Sequence, residues 1–186
     1  MTPQLCSTFC SDNSHGISGV EYGRECYCSS SVAVLASTPF NATGCTMPCA
    51  GSSSQTCGGR SRLNVYLDPV VPLPSTRAAI GEYVYLGCYT DPSAGQRVLA
   101  RYSVASAAGM SQGFCVGVCR DKGWAFAGVE YGRECYCGDK LNLVADGGKG
   151  ELAKSEAECD MVCSGERAEL CGGASRIGVW GVAAQN

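Results

Sequence analysis

Within "MSQGFCVGVCRDKG" the apolar and cysteine positions Met110, Phe114, Cys115, Val118 and Cys119 recur at intervals of three and four, the spacing that gathers side chains on one face of a helix. A short helix is predicted there, and Gly123 falls where a C-cap glycine belongs. The pattern then changes. "WAFAGVEYGRECYC", from Trp124 to Cys137, is rich in aromatic and β-branched residues and predicts strands interrupted at Gly128 and Gly132. Cys135 and Cys137, two apart, then share one strand face, and Glu134 and Tyr136 point to the other.

The decapeptide "GVEYGRECYC" occurs twice, at Gly19 to Cys28 and at Gly128 to Cys137. Aligning the copies aligns their cysteines as C-x3-C, fifteen residues, C-x-C, a loop, C-x3-C and C-x7-C. The loop alone differs, at sixteen residues in the first copy and twenty-one in the second. Each copy closes on a related tail, "CGGRSRLNVY" and "CGGASRIGVW", that ends in a short apolar strand. The second copy also has an opening segment, "YVYLGCYTDPSAGQRVLARYSVASAAG", with its own Cys88. The first has no counterpart, so the chain is expected to begin roughly 25 to 30 residues into its first unit, by the alignment of Met1 with Met110. "LDPVVPLPSTRAAIGE", residues 67–82, carries three prolines without periodicity and predicts a semi-rigid linker. The expected organisation is a first unit over 1–67, a linker over 68–82 and a complete second unit over 83–182.

Composition narrows the setting. Fifteen cysteines in 186 residues approach the density of a disulfide scaffold and predict a secreted, extracellular protein of an oxidising compartment. Four Phe, two Trp and 25 Gly leave each unit a thin apolar core, the situation in which small domains need covalent staples. The net charge is −3 and no run of Lys or Arg occurs, which argues against nucleic acid or an anionic membrane as partner. No apolar stretch is long enough to span a bilayer. The N-terminus lacks the pattern of a signal peptide, which a secreted precursor is expected to have lost. Asn41-Ala42-Thr43 is a sequon that would glycosylate Asn41.

Cysteines four apart on a helix and two apart on a strand could close in register as two neighbouring bridges, Cys115 and Cys119 against Cys135 and Cys137. The rival reading is a zinc site built from the same four sulfurs. C-x-C is a strained chelate for one tetrahedral ion, which favours disulfides and no bound metal.

The series of eight cysteines, with "YLGCYTD" at its start, "AGVEYGRECYCG" in its middle and "CGGxxR" at its close, resembles the WSC domain of fungal cell-wall stress sensors and secreted fungal enzymes. The match covers Tyr83 to about Val182 fully and Met1 to Leu67 as a truncated copy. The resemblance implies an α+β fold of small disulfide-rich modules, similar to PAN/apple domains, each an antiparallel sheet with one short helix. It implies non-catalytic binding of a cell-wall polysaccharide such as β-1,3-glucan, chitin or xylan, with no cofactor. Its bridge pattern, carried over position by position, implies Cys115 with Cys135, Cys119 with Cys137, Cys163 with Cys171 and Cys88 with Cys159. In the first copy it implies Cys6 with Cys26, Cys10 with Cys28 and Cys49 with Cys57, leaving Cys45 unpaired and the first unit the less stable.

Sites for neutral glycans combine aromatic faces with charged or amide groups. The candidate contacts are therefore Tyr131, Arg133, Glu134 and Tyr136, and their first-copy equivalents Tyr22, Arg24, Glu25 and Tyr27. Trp124 joins them, because the first copy has His15 in its place and a core position seldom accepts that exchange. Catalysis finds little support. His15 is the single histidine, so a Ser-His-Asp arrangement cannot be built in both units. Glu130 and Glu134, like Glu21 and Glu25, would lie about 13 Å apart if four residues apart on one strand, beyond the reach of a glycosidase pair. The alternative is a structural wall protein that self-associates through the first unit, whose missing opening strand leaves an unpaired sheet edge. Thiol titration of the denatured, unreduced chain is expected to find one free thiol. None, in the absence of an intermolecular dimer, would rule the pairing out.

Overall fold

The computed structural model describes residues 1–31, 43–92 and 96–183; Asn41 and its expected glycan lie outside them. The chain divides into two compact units, Met1–Leu73 and Pro74–Asn186. The first contains α1 (Pro3–Asp12), β1 (Ile17–Glu21), β2 (Glu25–Ser29), β3 (Pro48–Cys49), β4 (Ser52–Thr56) and β5 (Asn64–Leu67). Its sheet runs β2-β1-β5, antiparallel throughout, and β3 and β4 form a separate pair. The second unit has β6 (Ala79–Ile80), β7 (Tyr83–Thr90), β8 (Tyr102–Ala105), α2 (Gln112–Asp121), β9 (Phe126–Glu130), β10 (Glu134–Gly138), β11 (Glu151–Leu152) and β12 (Arg176–Val182). Its strands lie in the order β11-β7-β12-β9-β10-β8, with β6 also on β7. The architecture is α+β, with one α-helix packed on an antiparallel sheet in each unit among the described residues.

Both helices start and stop by the same devices. Thr2 Oγ1 accepts a hydrogen bond from the Leu5 amide and Ser111 Oγ accepts one from Phe114, satisfying first-turn donors that have no partner inside the helix. At the end of α2 the Gly123 amide donates to Arg120 O and the Trp124 amide to Cys119 O, the paired bonds of a Schellman cap. Gly123 takes φ +78° to make them, and Ser14 takes φ +61° at the same place after α1, a conformation disfavoured in any residue with a Cβ.

The buried face of α2 differs from the predicted one. Gln112, Cys115, Val116 and Cys119 are buried, Met110 is buried just ahead of the helix, and Phe114 stands exposed. Gln112 outcompetes an apolar side chain because its amide donates to Ser75 O and Leu170 O and accepts from the Arg77 amide, so every polar atom is satisfied on burial. Seven disulfides fix the scaffold among the described residues. Cys6–Cys26 and Cys10–Cys28 tie α1 to β2, and Cys115–Cys135 and Cys119–Cys137 tie α2 to β10. Cys49–Cys57 and Cys163–Cys171 close short loops, and Cys88–Cys159 closes one of 71 residues. Each helix-to-strand bridge contributes about 3 kcal/mol by loop-closure entropy. Cys45 is free, near Leu63 O.

Two expectations are corrected. Gly128 does not interrupt a strand: it sits inside β9, paired with Tyr136 on β10 and Val179 on β12, where a Cβ would meet Ile177 at 2.5 Å. Close packing, not a bend, requires glycine there. Residues 68–82 are not uniformly a linker, since from Pro74 onward the chain belongs to the second unit. The Ser75 amide donates to Ala168 O, Trp180 Nε1 donates to Arg77 O, and β6 adds to the edge of β7. An exposed sheet edge captures an extended segment whether or not the segment has a hydrophobic period.

The helix ends give a prediction. Ser14→Gly is expected to raise, and Gly123→Ala to lower, the stability of the respective unit by about 1 kcal/mol each, read from the unfolding midpoint.

Candidate functional site

In each unit the decapeptide folds into a hairpin whose turn is Tyr-Gly-Arg. Glu130 pairs with Glu134 and Glu21 with Glu25 across the two strands. This corrects the expected spacing of about 13 Å along one strand: directly opposed residues have Cβ atoms about 5 Å apart. Turn closure forces Tyr131 to φ 56° and Tyr22 to φ 55°, uncommon for a residue with a bulky side chain. Both tyrosines are exposed at the hairpin tip, as are Arg133 and Arg24 beside them.

The sheet of the second unit has two dissimilar faces. Cys135, Cys137, Val129, Ala127 and Trp180 face α2 and form the larger core, and Trp124 packs half-buried against that cluster. Tyr136 lies on the opposite face with Val98, Leu99, Ile177 and Val179. The structure therefore separates Trp124 from Glu134 and Tyr136 and brings the latter two together, with the Tyr136 hydroxyl donating to Glu134 Oε2 at 2.9 Å. Trp124 is also less exposed than the exchange with His15 implies. Its backbone amide caps α2, as the His15 amide caps α1 through Cys10 O, so the position is fixed by the main chain and both side chains are accommodated.

Identical letters acquire different environments. Tyr136 is 9% exposed and its equivalent Tyr27 is 50% exposed, although Tyr27 makes the same bond to Glu25 Oε2, at 3.1 Å. The difference is the opening segment, which lays Val98 and Leu99 over Tyr136 and places the Arg97 guanidinium 4.4 Å from its ring centre. Arg97 Nη1 also donates to Asp91 Oδ2 at 2.9 Å and to Glu130 Oε2. Burial pushes the Glu130 carboxyl up to about 8, helped by the charge of Asp91 and opposed by Arg97: one guanidinium does not neutralise two carboxylates out of water. Burial and the bond to Glu134 likewise hold the Tyr136 hydroxyl protonated above its usual range.

Beside this cluster a cavity of about 470 Å³ is lined by Arg97, Leu99, Ala100, Arg101, Tyr102, Ser103 and Tyr136. Lys122 sits 4.4 Å from the ring centre of Tyr102, and Arg101 pairs with Asp139 at 3.2 Å. Comparison of the repeats could not reveal Arg97, Arg101, Tyr102 and Ser103, because the first copy has no such segment. The dense Arg, Tyr and Ser of "QRVLARYS" was the available signal.

A family model described as "WSC domain" matches residues 1–59 and 85–173. The chain belongs to the WSC domain family. A protein of Chaetomium globosum named "Putative fungistatic metabolite" is 38% identical over 187 residues, covering 97% of this chain and 80% of its own length. Two proteins of Arthroderma benhamiae, each named "WSC domain-containing protein", are 30% and 32% identical over 182 and 180 residues. This chain spans 19% and 23% of their lengths. The disulfides of this WSC chain fit an oxidising, extracellular setting, and no helix among the described residues is long and apolar enough to cross a membrane. Two clusters of three sulfurs, at Cys6, Cys10 and Cys26 and at Cys115, Cys119 and Cys135, have the proximity of metal ligands. All six are bonded in disulfides and offer no thiolate.

The folded protein keeps its Glu130 proton to about pH 8, while an unfolded chain releases it near 4.5. The group therefore favours folding at acid pH, and its contribution is lost as pH rises through that window. The melting temperature of the parent is expected to fall between pH 5 and 8 relative to that of Glu130→Gln, followed by calorimetry.

Proposed function

We propose that this WSC pair is a non-catalytic binding unit for a cell-wall polysaccharide of the β-1,3-glucan, chitin or xylan class. The observation that carries the reading is the cavity lined by Tyr102, Tyr136, Arg97, Arg101 and Ser103. An aromatic edge supports sugar C–H groups, and guanidinium and hydroxyl groups serve neutral oxygens. The exposed Tyr131 and Arg133 at the hairpin tip, with Glu134 behind them, would extend contact along a chain of sugars. The first unit offers Tyr22 and Arg24 at its tip with Glu25 and Tyr27 exposed or half-exposed on one strand. Two modest sites on one chain raise avidity for a repeating polymer.

The carboxylates do not favour hydrolysis. Glu130 is buried beneath Arg97 and Asp91, with no access to a glycosidic oxygen, and Glu134 is engaged by Tyr136. A cleaving pair needs both groups open to the scissile bond.

Depletion from solution by insoluble β-1,3-glucan, chitin, xylan and cellulose tests the reading. The parent is expected to bind at least one of them, Tyr102→Ala and Tyr131→Ala to weaken binding roughly tenfold each, and Trp124→Ala to lose thermal stability with binding retained. Equal and negligible depletion by all four polymers would overturn it.

A further inference from the structure

Two guanidinium groups open on the cavity of the second unit, and they are held in different ways. Arg97 is fixed. Its guanidinium lies 4.4 Å from the Tyr136 ring centre and bonds the Asp91 and Glu130 carboxylates, whose side chains are 0% and 3% exposed. Both bonds leave from Nη1, so the N–H groups of Nε and Nη2 on the same planar fork take no part in them. Arg101 lines the same cavity but is held loosely. It pairs with Asp139 through Nε at 3.2 Å and Nη2 at 3.4 Å, and the two side chains are 57% and 51% exposed. An ion pair that open to water contributes little to stability, so a second carboxylate can take the place of Asp139 at small cost.

Such a lining is matched to an acceptor. Guanidinium groups only donate, and a carboxylate only accepts. A neutral sugar hydroxyl meets them as a single uncharged acceptor and keeps its own proton to place elsewhere. A carboxylate takes paired N–H bonds from one fork, and its charge makes each bond about twice as strong. The acidic groups near by are already engaged. Glu130 keeps its proton up to about pH 8, so below that pH the cluster behind Arg97 sets the charge of Asp91 against one guanidinium. Glu134 accepts from the Tyr136 hydroxyl. The chain as a whole carries −3, which gives an acidic polymer no general attraction to it and leaves recognition to a local site.

We infer that the groove of the second unit selects a polysaccharide that bears uronic acids, with one uronate carboxylate between Arg97 and Arg101 in the place of Asp139. Ser103 and the edge of Tyr136 then meet the sugar ring. The inference rests on the polysaccharide reading of this groove and narrows its ligand from a neutral to an acidic sugar chain.

Two polymers with one backbone supply the test: a glucuronoxylan, and the same preparation after its uronates have been reduced to neutral sugars. In calorimetric titrations of the intact chain at about pH 6, the parent is expected to bind the uronate form about tenfold more tightly than the reduced form. Arg101→Gln is expected to bring the two affinities together while keeping the melting temperature. Asp139→Asn frees Arg101 and is expected to tighten uronate binding about threefold, a gain that damage to the fold would not produce. Lys154→Gln removes the same charge beyond β11, at the edge of the sheet opposite β8, and is expected to leave the ratio unchanged. Equal affinity of the parent for the two xylans overturns the inference and leaves the polysaccharide reading standing, as does capture by β-1,3-glucan or chitin with neither xylan bound. Binding to none of these polymers overturns both. A ratio that falls as far in Lys154→Gln as in Arg101→Gln, or equally tight binding of polyglutamate, shows attraction to charge alone and also overturns the inference.

Discussion

The pair of disulfides between helix and hairpin is the constraint on which the rest of each unit depends. Cys115 and Cys119 lie one turn apart on α2, and Cys135 and Cys137 lie two apart on β10. Bonding them in parallel fixes the helix axis and the strand face together, to a degree that one bridge could not. With few large apolar residues available, the clamp replaces the packing energy that a larger core would supply. It also decides which face of the hairpin is inside. Once the cysteines face the helix, the alternating Glu134 and Tyr136 must face outward, and the same holds for Glu25 and Tyr27.

What happens on that outward face is decided by a different part of the chain. In the second unit the opening segment supplies β7 and β8 at the two edges and Val98, Leu99 and Arg97 over the middle. A bare three-stranded arrangement thereby becomes a covered sheet with its own second core, and the rim of that cover, with Tyr136, encloses the cavity proposed to hold sugar. The outward carboxylate Glu130 is drawn into the buried cluster with Asp91 and Arg97 and becomes a stability element. The hairpin tip and the groove beside Tyr102 are the parts of this face that stay open.

The two units show how context assigns roles to identical residues. Tyr27 and Tyr136 make the same intrastrand bond to a glutamate, yet one ring is open to solvent and the other lies under a guanidinium. Tyr22 and Tyr131 share the same left-handed turn and are exposed in both units, because the turn depends on the hairpin alone.

The sequence by itself determined the elements that depend on short spacing. The helix around Cys115 and Cys119, the strand carrying Cys135 and Cys137, the capping glycine at Gly123 and the repeat itself are local, and local periodicity encodes them. It could not determine that Gln112 rather than Phe114 faces inward, because that choice rests on carbonyls of Ser75 and Leu170 brought in from afar. Nor could it place Glu130 opposite Glu134, since two opposed strands and one continuous strand have the same letters until a turn is recognised at Tyr131. The separation of Trp124 from Tyr136 and the enclosure of the groove by Arg97 and Tyr102 likewise required the fold. Each depends on which face of a sheet a distant segment covers, a long-range pairing that no window of sequence contains.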